Sequence, residues 1–292
     1  MHADQPDPGR EGTSGPDSVR DRRRRRCAFF QYRRRSREHQ HGRRHRDRRT
    51  RERSALLSAL TDRRPLLIVI PAYNEAETIE EVVTLCLPHA DVCVVDDCST
   101  DDTVARVEAI PGAHLLRHAQ NTHIAGALLD GFRFASERGY EHCITMDAGL
   151  SHDPDEIPRF HALREADLVI GARTERIDTP WYRHALSWGA STLTNLALKR
   201  RLVPWGGAGL RDTTSGYRMY SRRAYELVVS APMRSRSFDF HLEALAYVFR
   251  AGFRVEEVDI TYQFSNSSLQ MGIVVEALKT CGRLWSEDFQ VR

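Results

Sequence analysis

Short apolar runs alternate with longer amphipathic stretches from residue 66 onward. The apolar runs are short, rich in β-branched residues and bounded by polar, proline or glycine residues, as strands buried in a parallel sheet are. They cover residues 66–70, 92–95, 114–116, 143–146 and 168–170. Stretches with helical periodicity lie between them, over residues 77–87, 103–109 and 124–137. This alternation predicts an α/β fold, with a mostly parallel sheet flanked by helices, over residues 64–292.

The first 55 residues have a different composition and predict a disordered, Arg-rich leader. Residues 1–53 hold 18 of the 43 basic and 8 of the 40 acidic residues, so this segment carries +10 and the remainder −7. Such a chain cannot bury enough apolar surface to offset its ordering entropy. One interpretation is a tether to an anionic surface, worth about 1 kcal/mol per Arg at a membrane. We favour another, a start assigned too far upstream in GC-rich DNA, because Lys199 and Lys279 are the only lysines.

Cysteine usage and hydropathy indicate the compartment. The six cysteines form no C-x-x-C pair, which indicates a reduced protein without structural zinc. No stretch approaches the roughly 20 apolar residues that span a bilayer, and no apolar segment follows the arginines as in a signal peptide. We therefore expect a cytoplasmic protein, either free or peripheral on the inner face of the cell membrane, and no nucleic-acid partner.

Polar motifs follow the first and second predicted strands. P-A-Y-N-E occupies residues 71–75, and D-D-C-S-T-D occupies residues 96–101. Ligands of doubly wound sheets bind at the carboxyl ends of the strands, where carboxylates can accept from ribose or base and Tyr73 can stack on a base. The second motif alone fits a turn that caps the next helix, with Ser99 or Asp101 as N-cap. Because both motifs should meet at one sheet edge, together they favour a nucleotide site.

Candidate metal-binding and phosphate-binding residues also stand at the ends of the fourth and fifth predicted strands. M-D-A-G-L-S-H-D-P follows the fourth strand at 146–154, and Arg173 ends the fifth. A carboxylate here can hold a divalent metal against a diphosphate, and Arg173 can donate to phosphate. The alternative for the first motif is a capped turn into a helix that begins near Pro154.

Five motifs in order resemble the polyprenyl-phosphate glycosyltransferases of family 2, the dolichol-phosphate mannosyltransferase type. They are P-A-Y-N-E (71–75), V-V-D-D-x-S-T-D (94–101), M-D-A-x-L-S-H-D-P (146–154), D-L-V-I-G-x-R (167–173) and T-S-G-Y-R (214–218). The resemblance extends from Leu66 to roughly Lys279. It implies a Rossmann-like GT-A fold and inverting transfer of a sugar from a nucleoside-diphosphate sugar to a polyprenyl phosphate, an acceptor that needs little base catalysis.

The resemblance also implies a role for each matching residue. It implies that Asp147 is the catalytic residue and binds the metal and the diphosphate. Because Mg²⁺ or Mn²⁺ can be held by one carboxylate together with substrate phosphates and water, we expect Asp147, with Ser151, to suffice as protein ligands. The nucleotide-sugar site consists of Pro71, Ala72, Tyr73, Asn74, Glu75, Asp96, Asp97, Ala148, Gly149 and Arg173. We expect Asp212, Ser215 and Arg218 to lie on the acceptor side.

Three departures from the family pattern keep two alternatives open. Gly149 replaces the second acid of the D-x-D motif, N-T-H-I-A-G (121–126) replaces N-x-G-x-G, and Ser265 and Met271 stand where two basic residues are usual. One alternative is a non-catalytic relative that binds a nucleotide. The other is a family 2 transferase acting on a hydroxyl, which would need a base such as Asp212 or Asp239.

The segment 181–210 predicts the contact with a lipid acceptor. It contains Trp181, Trp188 and Trp205 among apolar residues, next to a basic stretch that begins at Lys199. An amphipathic helix of this kind can lie in the membrane interface, or it can pack on the catalytic domain. We therefore expect a membrane surface or a membrane-protein partner. The histidines, among them His152, His184 and His241, show no metal-ligand spacing.

Overall fold

The computed structural model describes residues 66–177, 179, 181–199, 209–263 and 271–286. Side chains are described throughout except at 181–186, 199, 271–275 and 277. The Arg-rich leader, Trp205 and Ser265 therefore lie outside the described residues, and the predictions made for them remain predictions.

Seven strands of the described residues form one mixed sheet in the order β3-β2-β1-β4-β6-β5-β7. β6 runs antiparallel to β4 and β5, and the other neighbours are parallel, so the predicted mostly parallel sheet is confirmed. The strands are β1 (Leu66–Ala72), β2 (Asp91–Asp96), β3 (Ala113–Arg117), β4 (His142–Thr145), β5 (Leu168–Ile177), β6 (Arg218–Ser221) and β7 (Val255–Gln263).

Helices flank this sheet. They are α1 (Ile79–Cys86), α2 (Thr103–Glu108), α3 (His123–Arg138), α4 (Ile157–His161), α5 (Trp181–Lys199), α6 (Arg222–Ser230), α7 (Phe240–Arg250) and α8 (Met271–Ser286). The three helices predicted from periodicity are α1 to α3, and each end lies within two residues of its predicted position. The predicted caps of α2 are wrong, because its N-cap residue is Asp102. Asp101 instead accepts a hydrogen bond from the Thr103 amide.

The core forms around the central strands because their side chains are apolar on both faces. Leu67, Ile68, Val69 and Ile70 of β1 are all completely buried, and each such side chain contributes about 1.5–3 kcal/mol. Helix α3 lies close against β1 at Gly131, where an added Cβ would stand 2.3 Å from Val69 Cγ1. These buried central strands position the loops that follow the parallel strands at one edge of the sheet.

Candidate active site

The loops after β1 and β2 are joined by hydrogen bonds. The Asn74 amide donates to Ser99 Oγ at 2.9 Å, and the Thr100 amide donates to Asn74 Oδ1 at 2.8 Å. The Ala76 amide donates to Asp101 Oδ2 at 3.0 Å. The two motifs therefore meet at one edge, as their positions predict, and Tyr73 stands beside them with half its surface exposed.

Two carboxylates line the platform formed by the loops after β1 and β2. Asp97 Oδ1 accepts from the Thr122 amide at 2.7 Å and lies 2.8 Å from His118 Nδ1, so its orientation is fixed. Asp96 is buried; its Oδ2 accepts from the Ser99 amide at 3.2 Å. Its Oδ1 has no hydrogen-bond partner among the described residues. A buried acceptor of this kind is costly unless a ligand or water supplies a donor.

Four non-glycine residues in the left-handed conformation lie between the first four strands and their following helices or, for one of them, at the first residue of the helix. They are Asn74, Cys98, His123 and Leu150, with φ between 55° and 68°. Such residues are uncommon and cost free energy, and they cluster at functional sites. In the D-A-G-L loop the positive φ lies at Leu150 and not at Gly149.

Asp147 lies just beyond β4, and its side chain is 37% exposed. Its Oδ2 is 3.9 Å from Nε2 of His152, which is buried and stacked on Tyr217 at 4.8 Å. Burial lowers the pKa of His152, while the nearby Asp147 carboxylate acts in the opposite direction. The next predicted ligand, Ser151, is buried, and its carbonyl accepts from the Gln263 amide. No cluster of three metal-ligating His, Cys, Asp or Glu side chains occurs within the described ranges.

A second charged cluster lies along β5. Arg173 donates to both oxygens of Asp212, from Nε at 2.6 Å and from Nη2 at 2.8 Å. Arg176 Nη2 lies 3.5 Å from the same carboxylate. Burial favours a raised pKa for Asp212, but the hydrogen bonds and charge of Arg173, with the charge of Arg176, outweigh it and hold the pKa well below its usual range. The cluster therefore carries two positive charges and one negative charge.

The predicted acceptor contacts of Arg218 and Ser215 need correction. Arg218 is completely buried, and Ser215 is 1% exposed. The guanidinium of Arg218 donates to the backbone carbonyl oxygens of Ser215, His241 and Thr213. With each of its three nitrogens bonded to the backbone, Arg218 holds the T-S-G-Y-R loop in place and does not reach a substrate.

The predicted site residues lie within the part of the chain that matches one protein-family model. The model of "Glycosyl transferase family 2" matches residues 67–228, more than half of the chain. The chain belongs to glycosyltransferase family 2. It is therefore a glycosyltransferase, and the matched range includes each of the five motifs and each predicted site residue.

Two relatives and one solved structure show how far the similarity extends. An undecaprenyl-phosphate mannosyltransferase of Micrococcus luteus is 34% identical over 230 residues, which cover 73% of this chain and 90% of the relative. A polyprenol monophosphomannose synthase of Mycolicibacterium smegmatis is 32% identical over 210 residues, 67% of this chain and 76% of the relative. Glucosyl-3-phosphoglycerate synthase of Mycobacterium tuberculosis, crystallised with Mn²⁺, UDP-glucose and phosphoglyceric acid, has a TM-score of 0.59 at 22% identity, over 77% of this chain and 82% of its own. The GT-A fold of this glycosyltransferase is thereby confirmed.

Helix α5 bears on the predicted membrane contact. Trp188 is 73% exposed, whereas Thr194 of the same helix is buried and lies 3.8 Å from Cys281 Sγ of α8. One face of α5 therefore packs on the domain while Trp188 points to solvent. Within the described residues, no helix has the length and apolarity needed to cross a membrane.

Proposed function

We propose that this glycosyltransferase transfers a sugar from a nucleoside-diphosphate sugar to a polyprenyl phosphate, with inversion at the anomeric carbon. The observation that carries the proposal is the state of Asp212. Its low pKa and its ion pair with Arg173 make it a poor base. The other candidate base, Asp239, accepts from the Ser237 amide and from the Thr280 hydroxyl. A hydroxyl acceptor needs a base, whereas a phosphate acceptor is already anionic.

The excess positive charge of the β5 cluster supports a phosphate substrate. Arg173 and Arg176 face one carboxylate, and the side chain of Arg173 retains 16% exposure. Arginine is suited to phosphate because its fork of donors matches the phosphate oxygens. The names of the two relatives point to the same acceptor class, since one is named as an undecaprenyl-phosphate mannosyltransferase and the other as a polyprenol monophosphomannose synthase.

The platform formed by the first two loops is proposed as the donor site. The Tyr73 ring can stack on a base, Asp97 is held to accept from it, and Asp96 Oδ1 offers an acceptor to a ribose hydroxyl. Asp147 fits a divalent ion because its carboxylate is partly exposed beside a histidine with a lowered pKa. We propose that Asp147, with Ser151, holds Mg²⁺ or Mn²⁺, which would neutralise charge on the diphosphate leaving group.

A lipid acceptor requires access to a membrane. The exposed Trp188 fits an interfacial helix whose opposite face packs on the domain. We therefore propose that the enzyme works in the cytoplasm, peripherally on the inner face of the cell membrane.

The test is a donor screen with the purified protein. Radiolabelled mannose and glucose, each carried on GDP and on UDP, are incubated with undecaprenyl phosphate in detergent, and label is counted in the organic extract. We expect label from one donor, and its loss in Asp147→Asn but not in Asp155→Asn, which removes a charge from the more exposed Asp155 nearby. Nucleotide binding without transfer from any donor would favour the non-catalytic alternative. Transfer to a sugar or protein hydroxyl would favour the other.

A further inference from the structure

One oxygen of the Asp97 carboxylate is enclosed by the loop that follows β3. Oδ1 accepts from the Thr122 amide at 2.7 Å and from the Thr122 hydroxyl at 2.9 Å, and it lies 2.8 Å from His118 Nδ1. An ionised carboxylate has no hydrogen to donate, so Nδ1 is the donor of the third bond. Each hydrogen bond that the described side chains and amides donate to this carboxylate thus ends on Oδ1, which leaves Oδ2 for a ligand.

His118 is held on both sides of its ring. Its side chain is 11% exposed, and Nε2 lies 3.1 Å from Asp130 Oδ2 of α3. This contact is within ion-pair distance but lacks the alignment of a hydrogen bond. Asp130 in turn pairs with Arg133 of the same helix. The His118 amide donates to the Asp96 carbonyl at 2.9 Å, which ties its backbone to β2. The ring is therefore fixed with Nδ1 toward Asp97.

Part of this support comes from the loop that departs from the family pattern. Thr122 belongs to N-T-H-I-A-G (121–126), which stands in place of N-x-G-x-G. Its hydroxyl needs the space at Gly126, where an added Cβ would stand 2.2 Å from Thr122 Oγ1. Asn121 Nδ2 donates to the Asp97 carbonyl at 3.3 Å. The altered loop therefore holds both the backbone and the side chain of Asp97.

We propose that His118 is a positioning residue for base selection: with Thr122 it fills Oδ1 of Asp97, so that Oδ2 is a single, fixed acceptor for a ring N–H of the donor base. This inference rests on the donor site proposed above. Uracil and guanine carry a hydrogen on the ring nitrogen of their pairing edge. Cytosine and adenine have an acceptor nitrogen there, which a carboxylate repels. The site should therefore select uridine or guanosine nucleotides against cytidine and adenosine nucleotides.

The test compares nucleotides that differ at this ring nitrogen. UDP and CDP, and likewise GDP and ADP, are titrated into the full chain with excess Mn²⁺ by isothermal calorimetry. We expect the wild type to prefer UDP over CDP, or GDP over ADP, by about tenfold or more, because a hydrogen bond to a charged acceptor is lost with the wrong base. Asp97→Asn should abolish this preference, since it removes the charged acceptor.

Two matched substitutions of His118 separate positioning from packing. The amide nitrogen of Asn can take the place of Nδ1, whereas that of Gln reaches the place of Nε2 and leaves Oδ1 without this donor. His118→Asn should keep the base preference, and His118→Gln should lose most of it, while both bind inorganic pyrophosphate as the wild type does.

Three results would overturn the proposal. They are a base preference that survives His118→Gln, a preference lost equally in His118→Asn, and wild-type protein that binds these nucleotides without preference. No nucleotide binding at all would overturn the proposed donor site as well. Because binding needs neither acceptor nor turnover, a chain that shows the preference but transfers no sugar would refute only the proposed function.

Discussion

Removing the charge of Asp212 should destabilise the domain more than any exposed ion pair can. Asp212 is 2% exposed and receives two hydrogen bonds from Arg173, whose side chain is 16% exposed. Asp212→Asn keeps the shape but leaves the positive charges of Arg173 and Arg176 without their counter-ion. Breaking a buried pair by removing one partner costs about 3–5 kcal/mol. Because Arg173 is partly exposed, we expect about 3 kcal/mol, or roughly 6–12 °C in Tm for a domain of this size.

The assay is urea unfolding at pH 7 and at lower pH, with Glu108→Gln as the control. Glu108 pairs with Arg117 at 3.9 Å, with both side chains more than half exposed, so its loss should cost about 1 kcal/mol or less. The pKa of Asp212 is lowered in the folded state. The stabilisation that the Asp212 carboxylate contributes is therefore present above the unfolded-state pKa of about 4. It is lost as the pH falls below that value. A loss at pH 7 no larger than that of the control would refute the reasoning.

Three further predictions concern activity, the leader and the membrane. Asp147→Asn should lower the rate of sugar transfer a hundred- to a thousandfold, about 3–4 kcal/mol, because charge stabilisation of the leaving group is lost; Asp155→Asn should not, and wild-type rates in Asp147→Asn would contradict the assignment. A chain that starts at Ser54 should keep the full-length melting temperature, and a large decrease would show that the leader contributes to stability. Trp188→Ser should weaken liposome flotation of that shorter chain, whereas unchanged flotation would move the membrane contact elsewhere; Leu193→Ser, on another face of α5, is the control.

The strands that sequence predicts best are those buried on both faces. β1 and β2 appear as unbroken apolar runs because helices cover the parallel sheet on each side. β6 (Arg218–Ser221) gives no such signal, since it has four residues and begins with a charged one. The charge of Arg218 also led to the expectation that this residue contacts the acceptor. An arginine in a family motif resembles a phosphate ligand, and only the fold shows that backbone carbonyls bind each of its nitrogens.

The contacts between site residues that are distant in sequence were the hardest to predict. The motif loops were predictable because parallel strands end at one edge of the sheet. His118 and Thr122, which orient Asp97, are four residues apart just after β3, and that spacing was an available signal. The pairing of Arg173 with Asp212 has no local signal, because the two residues are 39 positions apart and meet only in the folded domain.

The anomeric configuration of the product tests the central claim most directly. The wild-type chain is incubated with undecaprenyl phosphate and the α-linked nucleoside-diphosphate sugar that the donor screen identifies, and the lipid product is analysed by NMR. Direct displacement by the phosphate oxygen predicts a β-linked sugar phosphate on the lipid. An α-linked product, or sugar found on a hydroxyl and none on the lipid phosphate, would contradict the account.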